Sequence, residues 1–274
     1  MGALTERFAT IDGRRMRYLT GGSGKPLVLC HGFLSSGEEF GGRFAALTES
    51  RTVISPDLPG NGQSDPLPGR HTAEAMGAGV LDLLDHLKID RFDLGGLGLG
   101  ASAAAAMASA RPDAVDNLIL HTPLVAPSLV RLRFRWQVHV LTSAPIWHQI
   151  VWLARRRVVS DIYKRFLIEG KDVDRATSDI NFRNQQRADP RAAKEWLNDA
   201  LVREDMALIV DRSRPTLIIV PLHDRLVNVE RLRVMVQPLA NVELFVDDLG
   251  GHGWSPDAVK RHLEVMRGML AGAG

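Results

Sequence analysis

The stretch Leu94-Gly95-Gly96-Leu97-Gly98-Leu99-Gly100-Ala101-Ser102 is a glycine corner between an apolar run ending in Phe92-Asp93-Leu94 and a small-residue stretch, Ala101 to Ala110. A strand, a tight corner and a closely packed helix form the shape in which G-x-S-x-G exposes a nucleophile. In the frame Gly96-Leu97-Gly98-Leu99-Gly100, the place of a serine, cysteine or aspartate is taken by Gly98. Other side chains are able to do chemistry. His252 stands between two glycines and is followed by Trp254, and Asp224 follows the apolar run Leu217 to Val220, where an ordinary turn aspartate also fits. His31 closes the run Pro26 to Cys30, and His121 and His223 stand at strand ends, the rim where parallel sheets gather ligands. Cys30 reads as an inert buried hydrophobe, and Ser102, one helical turn past the corner, as a packing residue. His139 and His148 are nine apart and no H-E-x-x-H or C-x-x-C occurs, so no metal is expected. No G-x-G-x-x-G opens the first βα unit, and the expectation is no cofactor.

These residues need a frame to hold them. Arg14-Met16-Tyr18 alternates with polar residues, and Pro26 to Cys30 is a continuous apolar run, as in a strand buried on both faces. Glu38 to Leu47 has helical spacing, Thr52 to Ser55 is a short strand, and Thr72 caps a helix through Leu87. Asn117 to His121 is another buried strand. The β-α rhythm then stops, and from Leu124 to about Asp205 the pattern is helical, with Pro145 and Pro190 at helix starts. Strand returns at Pro215 to Val220, followed by a helix at Val229 to Leu239, a strand at Val242 to Val246 and a helix at Pro256 to Leu270. Alternating strands and helices predict an α/β fold with a mostly parallel sheet covered on both faces. Residues 1–123 and 206–274 form the expected core and 124–205 a helical lid.

Composition bounds the rest. A chain of 274 residues, 45% hydrophobic, can bury a full core, and a net charge of +2 asks for no nucleic acid. One cysteine excludes an intramolecular disulfide framework and suits a reducing compartment. The first ten residues carry Glu6 and Arg7 and no apolar core, so no signal peptide is expected, and no run reaches the length of a spanning helix. The expected setting is cytoplasmic, with a small-molecule substrate and no membrane partner; monomer and homodimer stay open.

In order, His31-Gly32-Phe33, Asp57-Leu58-Pro59-Gly60-Asn61-Gly62-Gln63-Ser64-Asp65, the glycine corner, Pro221-Leu222-His223-Asp224-Arg225-Leu226-Val227 and Gly250-Gly251-His252-Gly253-Trp254 resemble motifs of the α/β-hydrolase superfamily. The resemblance covers nearly the whole chain, and the helical insertion is similar to the cap of epoxide hydrolases, haloalkane dehalogenases and carbon–carbon bond hydrolases. It implies that Asp224 orients His252, that the N–H groups of Phe33 and Leu99 form an oxyanion hole, and that residue 98 is the nucleophile. His31, read first as a residue that packs and hydrogen-bonds, and His121, at the rim, join Trp254 as candidates for substrate contact. Gly98 departs from the pattern and closes the usual acyl-enzyme route.

Three readings of Gly98 stay open. A His–Asp pair beside an oxyanion hole can activate water, or abstract a proton next to a carbonyl in lyase or cyclase chemistry. Alternatively, a serine hydrolase, an esterase or carbon–carbon hydrolase, has been inactivated by a serine-to-glycine change. Thirdly, the scaffold binds a small molecule without turning it over. Between Arg131 and Arg165 eight basic residues face one acid, Asp161. They read first as a solvated helix face, next as pairing partners for an anionic substrate, and last as attraction to an anionic membrane surface.

Overall fold

A computed structural model describes residues 4–163, 175–204, 214–249 and 254–272. The strands are β1 (Thr5–Ile11), β2 (Arg14–Gly21), β3 (Pro26–Cys30), β4 (Thr52–Pro56), β5 (Phe92–Leu97), β6 (Val115–His121), β7 (Thr216–Pro221) and β8 (Val242–Asp247). They form one eight-stranded sheet in the order β1-β2-β4-β3-β5-β6-β7-β8. The pairings from β4 through β8 are parallel, while β1 and β2 add an antiparallel edge. No sequence signal marks β1: only Ala9 and Ile11 of its seven residues are buried.

Side chains alternate across each parallel strand and feed two cores. Leu27 and Leu29 of β3, with Leu217 and Ile219 of β7, pack against α1 (Gly37–Arg43) and the last helix, α10 (Pro256–Ala271). Val28 and Cys30, with Ile218 and Val220, pack against α2 (Ala73–His86), α3 (Leu99–Ala110) and α9 (Val229–Val236). A strand needed on both faces must be apolar throughout, which is why β3 and β7 read as unbroken runs. Thr72 caps α2 by accepting the N–H of Ala75 at 3.2 Å, and Asp189 caps α8 (Pro190–Asp199) through the N–H of Ala192 at 2.8 Å.

Between β6 and β7 the described residues form α4 (Leu132–Leu141), α5 (Ala144–Ala154), α6 (Arg157–Tyr163), α7 (Arg175–Arg187) and α8. Their entrance is fastened to the loop after β7. Val130 and Val227 make an antiparallel bridge, Arg131 N–H donates to Leu226 O at 2.8 Å, and Asn228 N–H donates to Leu129 O at 2.7 Å. Among the described residues, no helix is long and apolar enough to cross a membrane.

Candidate active site

The corner between β5 and α3 is built by what its glycines exclude. A Cβ on Gly96 would lie 2.5 Å from Gly100 O, and one on Gly100 would lie 2.2 Å from His31 O, so neither position admits a side chain. The all-small face of α3 has the same cause, because alanine lets the helix lie close to β5 and α2. Gly98 is different. It sits at φ 56°, ψ −114°, where an L-residue is strained, yet a Cβ there would meet nothing within 4 Å. Its N–H donates to His121 O at 2.9 Å and its carbonyl accepts from Leu124 N at 3.2 Å, which pins the corner between β6 and the start of the insertion.

Gly98 lies on the wall of a cavity of about 700 Å³. From the sheet side come Gly32, Phe33, Leu34, Leu99 and Trp254; from the inserted helices come apolar groups such as Phe134, Trp147, Ile150, Val151 and Leu197. Leu99 opens α3, so its N–H is one of the donors without an intrahelical acceptor and stands at the positive end of the helix. Leu34, next to Phe33, holds φ 53°, a conformation uncommon for a branched side chain.

Asp224 is 1% exposed, and its Oδ1 accepts the N–H groups of Leu226 and Val227, both at 2.7 Å. Its carbonyl accepts Arg131 Nε at 3.0 Å. The loop carrying the acid is thereby fixed from within and from the insertion. His252 lies outside the described residues, but Trp254, two residues on, is on the cavity wall. The exposed His223 takes no part in that wall.

Two of the sequence-derived substrate contacts are placed elsewhere. His31 is fully buried behind the wall: its Nε2 accepts the N–H of Leu58 at 2.9 Å, which puts the proton on Nδ1, facing Gly32 O at 2.8 Å. Burial holds this imidazole below its ordinary pKa, and its work is to tie the Gly32-Phe33 loop to the Asp57 loop. His121 is also fully buried, within a cage of Phe40, Phe44, Trp254 and His262, with ring centroids 4.9–5.5 Å away. Among the described residues neither of its ring nitrogens has a hydrogen-bond partner. Its strand end reaches the rim, but its side chain alternates to the α1–α10 face, away from the cavity.

That burial predicts an acid limb. Desolvation first, then the neighbouring His262 and Arg43, pushes the His121 imidazole well below its ordinary value, and burial lowers His31 and His262 as well. The folded chain therefore holds these rings neutral at a pH where the unfolded chain binds protons. Stability is complete above about pH 6.5 and falls as pH drops below it, each ring removing up to about 1.4 kcal/mol per pH unit. Urea midpoints between pH 7.5 and 5.5 measure this, and His121→Phe should flatten the slope. An unchanged slope in that variant would show that His121 is not responsible.

Sequence reasoning missed a polar group on the wall. Glu39 accepts Arg43 Nη2 at 3.0 Å and the hydroxyl of Ser35, while Arg43 lies 5.2 Å over the Trp254 ring. The signal was the i,i+4 spacing of Glu39 and Arg43 on α1. Of the basic residues in the insertion, Arg155 lines the cavity. Arg156 stacks on Trp152 and Arg157 pairs with Asp161 and Asp179, while Lys164 and Arg165 lie outside the described residues. Arg187, further along, also lines the cavity.

The family model described as alpha/beta hydrolase fold matches residues 25–255. The chain belongs to the alpha/beta hydrolase fold family. Within that family, it is 34% identical over 155 residues to an uncharacterized protein of Mycobacterium tuberculosis, a match covering 57% of this chain and 44% of that one. A soluble epoxide hydrolase of Corynebacterium is 40% identical over 118 residues, covering 43% of this chain and 41% of the relative. The matched stretches thus span less than half of these relatives. Among solved structures, an epoxide hydrolase superposes with a TM-score of 0.76 at 24% identity, covering 98% of each chain. An esterase from Exiguobacterium antarcticum does so with a TM-score of 0.82 at 19% identity, covering 97% of this chain and all of the other. At such identities the alpha/beta hydrolase likeness is one of fold.

Proposed function

We propose that this chain is an enzyme acting on a carbonyl- or ester-bearing small molecule without a covalent nucleophile. The observation that carries the proposal is Gly98: the corner keeps the backbone of a nucleophile position, and open space on the cavity wall stands where the side chain would be. His252 is the general base and Asp224 its orienter, and the N–H groups of Phe33 and Leu99 receive the developing oxyanion. Water in the space beside Gly98 gives a proton to His252 as its oxygen attacks the carbonyl carbon. The tetrahedral intermediate then expels the alkoxide, which takes that proton back from the imidazolium, leaving acid and alcohol. The same base, facing a substrate with an acidic hydrogen next to its carbonyl, serves lyase or cyclase chemistry. The apolar wall supports a largely apolar substrate, and Arg155 or Arg187 supports a peripheral anionic group on it.

The test is turnover of a panel of activated esters and enolisable ketones, with intact-mass measurement during the reaction. His252→Ala should lower turnover about 10²–10⁴-fold, and no acyl adduct should accumulate. Undiminished turnover in that variant, or a trapped adduct on the unmodified chain, sinks the proposal. A second reading, a serine hydrolase that carries glycine in place of its serine, is favoured by the same open space; it predicts no His252-dependent turnover by the unmodified chain and ester hydrolysis restored in Gly98→Ser.

A further inference from the structure

Eight of the twelve large apolar side chains exposed among the described residues fall between Leu132 and Ile162. On α4, Leu132 (68% exposed), Trp136 (64%) and Val140 follow at i, i+4 and i+8 and share one face with Arg133, Arg135 and His139. Phe134 and Val138 occupy the opposite face and are buried. The next two helices continue the pattern with Trp152, Val158 (70%) and Ile162. Single exposed apolar residues are ordinary, but a run of them interleaved with cations is not.

The charge on this region is one-sided. Arg157 is neutralised by Asp161 and Asp179, and Arg131 is engaged by the Asp224 carbonyl. Arg133, Arg135 and Arg155 have no carboxylate partner among the described residues. Two copies of the chain meeting through this face would bring unpaired guanidinium groups together with no acid between them, which opposes self-association. A nucleic acid would satisfy the arginines but offer no apolar phase to Leu132, Trp136, Val140, Val158 and Ile162. A surface with anionic headgroups above hydrocarbon satisfies both, and tryptophan with arginine is the composition that settles at such a boundary.

We propose that the outer face of α4, α5 and α6 docks on an anionic lipid bilayer. Leu153, Arg155 and Val159 belong both to this region and to the cavity wall, so docking sets the cavity beside the lipid phase. Rather than the solvated face that the sequence alone put first, the stretch is an interfacial one.

The test is cosedimentation of the full chain with large vesicles of phosphatidylcholine alone or of phosphatidylcholine and phosphatidylglycerol in a three-to-one ratio. Binding is expected to the mixed vesicles, weakened by added salt. It should fall at least about tenfold in the Arg133→Glu/Arg135→Glu double variant and by a similar factor in Trp136→Ser, with Arg133→Lys/Arg135→Lys keeping it. All these positions are exposed and off the cavity wall, and the salt dependence of the unmodified chain needs no variant. Absence of binding, equal binding to both vesicle types, or full binding by the charge-reversed variant overturns the proposal. So does a dimer in sedimentation velocity that the double variant dissociates, because the face would then belong to a second copy.

Discussion

Gly98→Ser should convert a chain inert to a fluorophosphonate into one that gains a single adduct by intact mass. The physical ground is specific to this position. Its neighbours Gly96 and Gly100 have no space for a Cβ, whereas at Gly98 the Cβ vector enters open cavity. The serine hydroxyl would project beside the N–H of Leu99, the first donor of α3, and face the Phe33 loop. Reaction with the probe needs a base to take the hydroxyl proton and donors for the phosphonyl oxygen, so labelling reports the whole assembly and not the serine alone. His252→Ala in the serine background should slow labelling about 10²-fold or more. There is a conformational cost, since φ 56° suits glycine and strains serine by about 1–2 kcal/mol, which lowers Tm by roughly 2–8 °C in a domain of this size. Labelling that depends on His252 favours a hydrolytic site complete apart from its nucleophile. A folded serine variant that stays unlabelled would show that the corner is not built for acyl transfer.

Asp57→Ala should be strongly destabilising, on the scale of truncating a fully buried aromatic side chain. Asp57 is fully buried, with its carboxylate 3.2 Å from Nη1 of Arg17, itself 3% exposed. The same carboxylate accepts Gly37 N–H and Gln63 N–H, each at 2.8 Å, and so joins the start of α1 to the loop that lines the cavity with Gly60, Gly62, Gln63 and Ser64. Alanine leaves the Arg17 guanidinium with only Glu6 and Glu38, both more exposed, and leaves the buried Gly37 N–H and the half-buried Gln63 N–H without this acceptor. The expected loss is about 3–5 kcal/mol, or some 6–20 °C in Tm, with weakened ligand binding from the loosened loop. Thermal and urea unfolding measure it. The double variant Asp57→Ala/Arg17→Met should recover part of the loss, and no recovery would mean that the backbone donors carry the effect instead of the ion pair.

The frame was legible in the sequence for a simple reason: strands buried on both faces, such as Pro26 to Cys30 and Thr216 to Pro221, must be apolar without interruption. The corner was legible because it uses glycines where nothing else fits. Side-chain direction was harder to read. His121 ends a strand at the rim, but a residue pointing one way along β6 puts its neighbour the other way, and Leu120 takes the α2–α3 side while His121 takes the α1–α10 side. Partners distant in sequence were not legible either. Arg17 and Asp57 are 40 residues apart, and only the folded sheet shows that the motif aspartate answers a buried arginine. The edge strand Thr5 to Ile11, largely exposed, carries too little apolar alternation to declare itself.

The bridge between Val130 and Val227 has a consequence for how this architecture tolerates exchange of parts. Because the entrance to the inserted helices is hydrogen-bonded to the loop that holds Asp224, a rigid swing about that entrance would drag the acid along with it. A movement of the helices that leaves Asp224 in place would therefore have to hinge beyond Arg131. The same seam marks where a foreign insertion can be grafted. A chimera that joins at Leu132 keeps the acid loop anchored, whereas one that joins at Leu124 replaces three residues whose backbone belongs, structurally, to the catalytic half of the molecule.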